Sequence, residues 1–212
     1  MFRNTDVETV YDLDQAIGLL DEAGIIDSDG DGVRELNGEP LSFEFLAASD
    51  NSLRIRTAEL VREMLLQIGI DAQVVVMERT AQVQAVWPEF DVSKGRNYQM
   101  AIFGWSAPVQ ADPIRIATLV NSDPAVGVIN LSGYVNPVAD ELSLELLRTI
   151  DPDRQQELLS ELQAIIAEDL PFIMIAYPDG MYAYRPSIYD GWVFMTGQGV
   201  FHKLSFLAAS DE

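Results

Sequence analysis

The chain has 212 residues with 34 acidic side chains against 13 basic ones, a formal charge of −21, one histidine and no cysteine. That composition excludes disulfides, thiolate nucleophiles and Cys-bound metal centres; a lone histidine, His202, near the C-terminus excludes a multi-histidine metal site and leaves a His-dependent triad a single residue to draw on. The acidic balance offers no basic patch to nucleic acid, an anionic membrane surface would repel it, and no apolar run nears the roughly 18 residues of a spanning helix.

At 48% hydrophobic the chain is long enough, and apolar enough, for one sizeable core or two small ones. About ten unpatterned residues come first and read as a flexible lead-in; they contain no apolar stretch of the kind that marks an export signal. The stretch "DLDQAIGLLDEAG" then predicts a short helix. Asp12 suits its N-cap, Leu13, Ala16, Ile17, Leu20 and Ala23 form one face, and Gly24 closes it.

The next segment, "DSDGDGVRE", spaces Asp27, Asp29 and Asp31 at alternate positions around Gly30 and Gly32. This matches the first half of an EF-hand loop, in which hard carboxylate oxygens surround Ca²⁺. The second half departs, because Gly38 stands where the bidentate glutamate belongs and no exiting helix follows. Glu35 or Glu39 is the substitute ligand. The competing reading is a helix-to-strand turn in which the aspartates hold backbone amides and the glycines supply the unusual dihedrals.

Alternation of Leu41, Phe43 and Phe45 predicts a half-buried strand. Residues 52–68 predict a helix with Ile55, Ala58, Val61, Leu65 and Ile68 on one face and Gly69 at its end. A β-branched strand starts at Ile70, and residues 80–86 predict a short helix. After the loop "FDVSKGRN", the run from Tyr98 to Trp105 predicts a strand buried on both faces. Asp112–Pro113, Asn136–Pro137 and Asp151–Pro152 each predict a cap and first-turn proline, opening helices to about Val120, Thr149 and Asp169. The segments "PFIMIAYP", "MYAYRP", "GWVFM" and "VFHKLSFL" predict closing strands. Helices and strands alternate through the first half, which points to an α/β layered fold with helices on the faces of a sheet.

The ordered set "YDLDQAIGLLDEAG" (11–24), "DSDGDGVRELNGEPLSFEFL" (27–46), "ELVREMLLQIGIDAQV" (59–74), "YQMAIFGWSAPVQADP" (98–113), "SGYVNPVADEL" (132–142), "LLSELQAIIAEDLPFIMIAYP" (158–178) and "AYRPSIYDGW" (183–192) resembles the C-terminal lobe of the family 5 extracellular solute-binding proteins, the peptide, nickel and oligosaccharide receptors of ABC importers. The resemblance implies a mixed sheet with helices on both faces, as in one lobe of a periplasmic binding protein-like II fold. It implies that residues 1–212 are that lobe, that about 193–212 return toward a first lobe, and that the first lobe and export signal lie upstream of Met1. The implied protein is non-enzymatic, periplasmic or extracellular, free or lipid-anchored, and monomeric. Its partners are a small solute and an ABC permease, with no nucleic acid, and it needs no cofactor beyond a structural Ca²⁺ in the aspartate loop.

Candidate ligand residues follow from that placement. Trp105 ends the buried strand at the sheet's carboxyl edge, where ligands of open α/β sheets gather, and its indole offers a stacking face. Peptide-binding members carry an aspartate for the ligand's α-amine three residues beyond this tryptophan; here that position is Pro108, which tilts the reading away from peptides with a free N-terminus. Tyr134 and Asn136 lie in the family's cleft-side segment, Asn136 also being a helix N-cap, and Asp112 is near in sequence although it suits a cap. Tyr177, Tyr182 and Tyr184 read as strand packing, and Arg115 and Arg185 as exposed charges, available to an anionic solute or to neighbouring acids. Two alternatives remain open at this point: a carboxylate-dependent hydrolase lobe and a calcium-dependent cell-surface module, with Asp27, Asp29, Asp31 and Glu35 as its metal ligands.

Overall fold

A computed structural model describes residues 10–104, 112, 114–176, 181–195 and 198–207; the lead-in at 1–9 lies outside the described residues. The first element grows from its cap. The Asp12 carboxylate accepts the Gln15 amide at 2.9 Å, and helix α1 runs Leu13–Glu22 with Gly24 turning the chain at φ 74°. Beyond the aspartate loop stands an antiparallel ribbon that the hydrophobic pattern does not predict. Its strands β1 (Glu35–Leu36) and β2 (Glu39–Pro40) meet across Asn37–Gly38, both at positive φ. Asn-Gly is the dipeptide that tolerates left-handed backbone at both turn positions.

Strand β3 (Ser42–Ala48), helix α2 (Ser52–Leu66) and strand β4 (Asp71–Met77) form a β–α–β unit, parallel in register from Ser42↔Asp71 to Ala48↔Met77. Helix α3 (Arg79–Val86) and two 3₁₀ turns at 88–90 and 92–94 lead to β5 (Met100–Ala101), which pairs with the other edge of β3 to give the order β4-β3-β5. In the centre, Phe45, Leu46, Ala47 and Ala48 are each at most 4% exposed, so both faces of β3 are covered. Phe45 and Ala47 pack with Ala58 of α2, Ala72 and Ile102. Burial of a side chain such as Phe45 contributes about 1.5–3 kcal/mol.

The uninterrupted strand expected from Tyr98 to Trp105 is corrected: among the described residues, which end at 104, the ladder holds only Phe45↔Met100 and Leu46↔Ala101. A side chain takes over where it ends. The buried Gln82 amide donates to Leu46 O at 3.1 Å, which also accepts the Ile102 N–H, and to Ile102 O at 3.0 Å, a carbonyl that a longer ladder would have used.

A second core is all-helical. Helices α4 (Arg115–Val120), α5 (Pro137–Arg148) and α6 (Pro152–Asp169) bury Val120, Ala139, Leu146, Leu158, Leu159 and Leu162 against one another. The caps of α5 and α6 fall on Asn136 and Asp151 with proline in the first turn, as the sequence predicts. Helix α6 is the longest element, and no described helix is long and apolar enough to cross a membrane.

Among the described residues the four closing strands are not formed. Residues 171–176 and 181–186 have no strand structure, and Ile173, Met174 and Ile175 are 75%, 53% and 54% exposed. Beyond them Met195 and Gly199 make a single bridge, and 203–206 form a 3₁₀ turn. What holds this part is an aromatic cluster in which Trp192 packs on Tyr184, Tyr189, Phe201 and Phe206, with the His202 Nε2–H donating to Val193 O at 2.7 Å. Apolar alternation predicts strand-competent chain, but a strand also needs a neighbour to pair with, and the described residues supply none here. The α/β class holds: parallel pairing in the sheet with α2 and α3 packed against it, antiparallel pairing in the ribbon, and a helical core beside them.

Candidate functional site

The link from α4 to α5, residues 121–136, has no regular structure and is fixed by buried amides. Asn121 donates to Ser143 Oγ at 2.7 Å and to Asp140 O at 3.3 Å. Asn130, 4% exposed, donates to Asn121 O and to Tyr134 O, and accepts the Tyr134 N–H at 3.0 Å. It therefore gives the Tyr134 backbone the pairing that a strand would otherwise provide. From the sheet side, Arg96 donates to Leu131 O at 2.7 Å and Asn130 O at 3.0 Å, and the Tyr98 hydroxyl donates to Leu131 O at 2.8 Å. Gly133, at φ 74°, makes room, because a Cβ there would lie 2.6 Å from Arg96 Nη1.

The two candidates this loop carries converge on a third group. The Tyr134 hydroxyl donates a very short hydrogen bond to Asp169 Oδ2, and Asn136 Nδ2 donates to the same oxygen at 2.8 Å. The Asn136 oxygen is used at the same time as the N-cap of α5, accepting Val138 N at 2.9 Å and Ala139 N at 3.2 Å. Burial pushes the Tyr134 phenol up to about 12, and donation to Asp169 adds to that shift. The Tyr134 hydrogen bond, then that of Asn136, holds the Asp169 carboxyl below its ordinary range. Sequence reasoning misses Asp169, although one signal exists: an acid in the last turn of a helix opposes the macrodipole, and so implies a partner elsewhere. The result is a polar ledge whose exposed carboxylate is oriented by two donors.

The other candidates are not gathered there. Asp112 accepts the Ile114 amide at 3.0 Å, just ahead of α4, whose N-cap position is Ile114 itself, with no side-chain cap. Trp105, Pro108 and Tyr177 lie outside the described residues. Tyr182 and Tyr184 belong to the aromatic cluster, and Arg185 is exposed. Two open recesses, of about 610 Å³ along Met195, Phe201, His202 and Lys203 and about 530 Å³ along Glu44, Arg96 and Tyr98, contain none of the candidates.

In the aspartate loop, carboxylate oxygens of Asp27, Asp29, Asp31 and Glu35 lie within 4.8 Å of one another. Each is also used by the loop itself. Asp27 accepts Gly30 N and Gly32 N, Asp29 accepts Asp31 N, Asp31 accepts Val33 N, and Glu35 accepts Ser28 N. The turn role is therefore built in, with Gly30 and Gly32 at φ 82° and 92°. Glu39 lies on β2 and is not among the converging oxygens.

Comparison with known proteins identifies relatives of the chain. The model for bacterial extracellular solute-binding proteins, family 5 Middle, matches residues 2–125, more than half of the chain. The oligopeptide-binding protein AppA of Bacillus subtilis is 27% identical over 184 residues, covering 87% of this chain and 32% of AppA. Its structure in complex with a nonapeptide superposes with a TM-score of 0.68 at 26% identity, over 80% of this chain and 32% of that one. The glutathione-binding protein GsiB of Escherichia coli K12 is 26% identical over 86% of this chain and 33% of its own. A mannohexaose-bound oligopeptide ABC transporter periplasmic protein from Thermotoga maritima shares the fold, with a TM-score of 0.71 at 22% identity over 81% of this chain and 32% of that one. The chain thus spans about a third of the length of these relatives.

Proposed function

The chain belongs to the bacterial extracellular solute-binding proteins of family 5, and from that premise we propose that it is one lobe of the solute receptor of an ABC-type importer. The lobe contributes one wall of a cleft and performs no covalent chemistry on its cargo. The match over residues 2–125 carries this reading, and the fixed Tyr134–Asn136–Asp169 ledge supports it. Residues 1–212 form the C-terminal lobe, with 193–212 returning toward a first lobe that the remaining length of the relatives supplies. Trp105, Tyr134 and Asn136 face the solute, while Asp112 serves the fold. The intact receptor acts outside the cytoplasmic membrane as a monomer, free or lipid-anchored, and docks its closed form on a permease.

The relatives are named for oligopeptides, di- and tripeptides and glutathione, and one is bound to mannohexaose. Small peptides and oligosaccharides are therefore the first solutes to try. Thermal denaturation of the intact receptor against such a panel should raise Tm for one class, and isothermal titration of residues 1–212 alone should give far weaker binding, because half of the cleft is missing. Tight binding by the lobe alone, or consumption of any solute, refutes the proposal.

A structural Ca²⁺ is a second reading, confined to the aspartate loop. Four hard oxygens within 4.8 Å suit that ion. Calcium at 100 times its Kd would add about 2.7 kcal/mol of stability, so melting with calcium and with chelator separates an ion site from a self-sufficient turn.

A further inference from the structure

Acids outnumber bases 34 to 13 in this chain, so a half-buried arginine without an acid beside it is unexpected. Among the described residues four arginines are half-buried: Arg34, Arg54, Arg115 and Arg154. Arg34 pairs with Asp21 at 2.6 Å, Arg154 with Glu145 and Glu157 at 2.8 and 2.9 Å, and Arg115 is also engaged. Arg54 alone has neither a carboxylate nor a side-chain hydrogen-bond partner among the described residues. Its position compounds the oddity. Arg54 lies in the first turn of α2, where its own amide is held by the Asn51 cap at 3.0 Å and where the helix macrodipole disfavours a cation.

The fold nevertheless holds the side chain in place. Its guanidinium approaches Gly104, three residues past the end of β5, through Nη2, and a Cβ on Gly104 would collide with Nη2 and sit 2.6 Å from Cζ. Gly104 has an ordinary negative or extended φ, so the glycine is explained by the close approach and not by backbone strain. Both residues stand beyond the carboxyl ends of the parallel strands β3 and β5, the edge at which open α/β sheets receive ligands. A planar, permanently charged fork left without a partner at that edge fits a bidentate oxyanion.

We infer that Arg54, seated on Gly104, recognises a carboxylate group of the solute. This inference rests on the reading of the chain as a solute-binding lobe and narrows the cargo to carboxylate-bearing molecules. The site is electrostatically local: in a chain of net charge −21, long-range attraction of an anion is absent, so recognition depends on direct contact with the fork.

The test is nitrogen-detected NMR of the 212-residue chain, titrated with N-acetyl-dialanine, which has a free carboxylate, and separately with its C-terminal amide. The carboxylate probe should shift the Arg54 Nε–H resonance and the Gly104 amide, and the amide probe should not. Arg54→Gln should abolish the Gly104 response, and Arg54→Lys should weaken it about fivefold or more, since an ammonium lacks the fork. Gly104→Ala keeps the charge but displaces the guanidinium and should weaken binding comparably. Equal shifts from both probes, no shift from either, or an equal response at exposed Arg185 overturns the inference. If the amide probe perturbs Tyr134 and Asn136 while Arg54 stays silent, the solute-binding reading survives and only the carboxylate assignment falls. If Arg54 responds and the Tyr134 loop does not, the carboxylate site stands and the placement of the cleft fails.

Discussion

The sheet body around β3 and the segment from 171 to 207 are both rich in apolar residues, yet they end in opposite states. In the first, four consecutive residues of β3 are sealed from solvent. In the second, Ile173, Met174 and Ile175 are more than half exposed. Composition does not separate them; partners do. β3 has a strand on each edge and a helix packed above it, whereas among the described residues of the later segment Phe172 reaches the helical core and the rest gather on their own aromatic rings. An apolar run is thus a statement of what a chain can bury, and the neighbours decide whether it does.

Four measurements would break or sharpen that contrast. Leu162→Ala, in the fully buried helical core, should cost about 2–5 kcal/mol by denaturant unfolding. Asn130→Ala should cost about 1–3 kcal/mol, because it strands the buried backbone groups of Tyr134 that its amide now satisfies. Titration should come next. Folded Tyr134 loses its proton at about 12 and an unfolded tyrosine at 10, so its contribution is whole below pH 10 and disappears as pH climbs from 10 to 12. Asp169 runs the other way: its share is present above the ordinary 3.8 and fades as pH falls through its lowered folded value. Tyr134→Phe should remove the alkaline part of that profile. Last, Ile175→Ser should change the stability of these 212 residues by no more than about 0.5 kcal/mol. A large loss there would mean that the exposed segment is packed after all.

The same contrast explains what could be read from the sequence. Caps were legible, because Asp12, Asn136 and Asp151 each act on amides two or three residues away. The β–α–β unit was legible from apolar spacing and from Gly69. The ends of β5 were not, since they depend on Gln82, a residue about twenty positions distant in sequence. Within the candidate site, the loop bearing Tyr134 and Asn136 could be anticipated, but the acid that joins them comes from the end of another helix, 33 residues further on. Arg54 was hidden for a different reason: its interest lies in the partner it lacks, and a missing partner leaves no spacing to read.

The Gln82 amide has a consequence for alignment. Its two N–H groups reach carbonyls on two different strands, Leu46 of β3 and Ile102 beyond β5. If β5 slid by one residue, the carbonyl at 102 would move about 3.3 Å away and its replacement would point toward the opposite edge of the strand, leaving one buried N–H of Gln82 without its acceptor. One side chain in a neighbouring helix thereby checks the phase of a strand pairing only two residues long, and mis-threaded arrangements are rejected before any ligand is met.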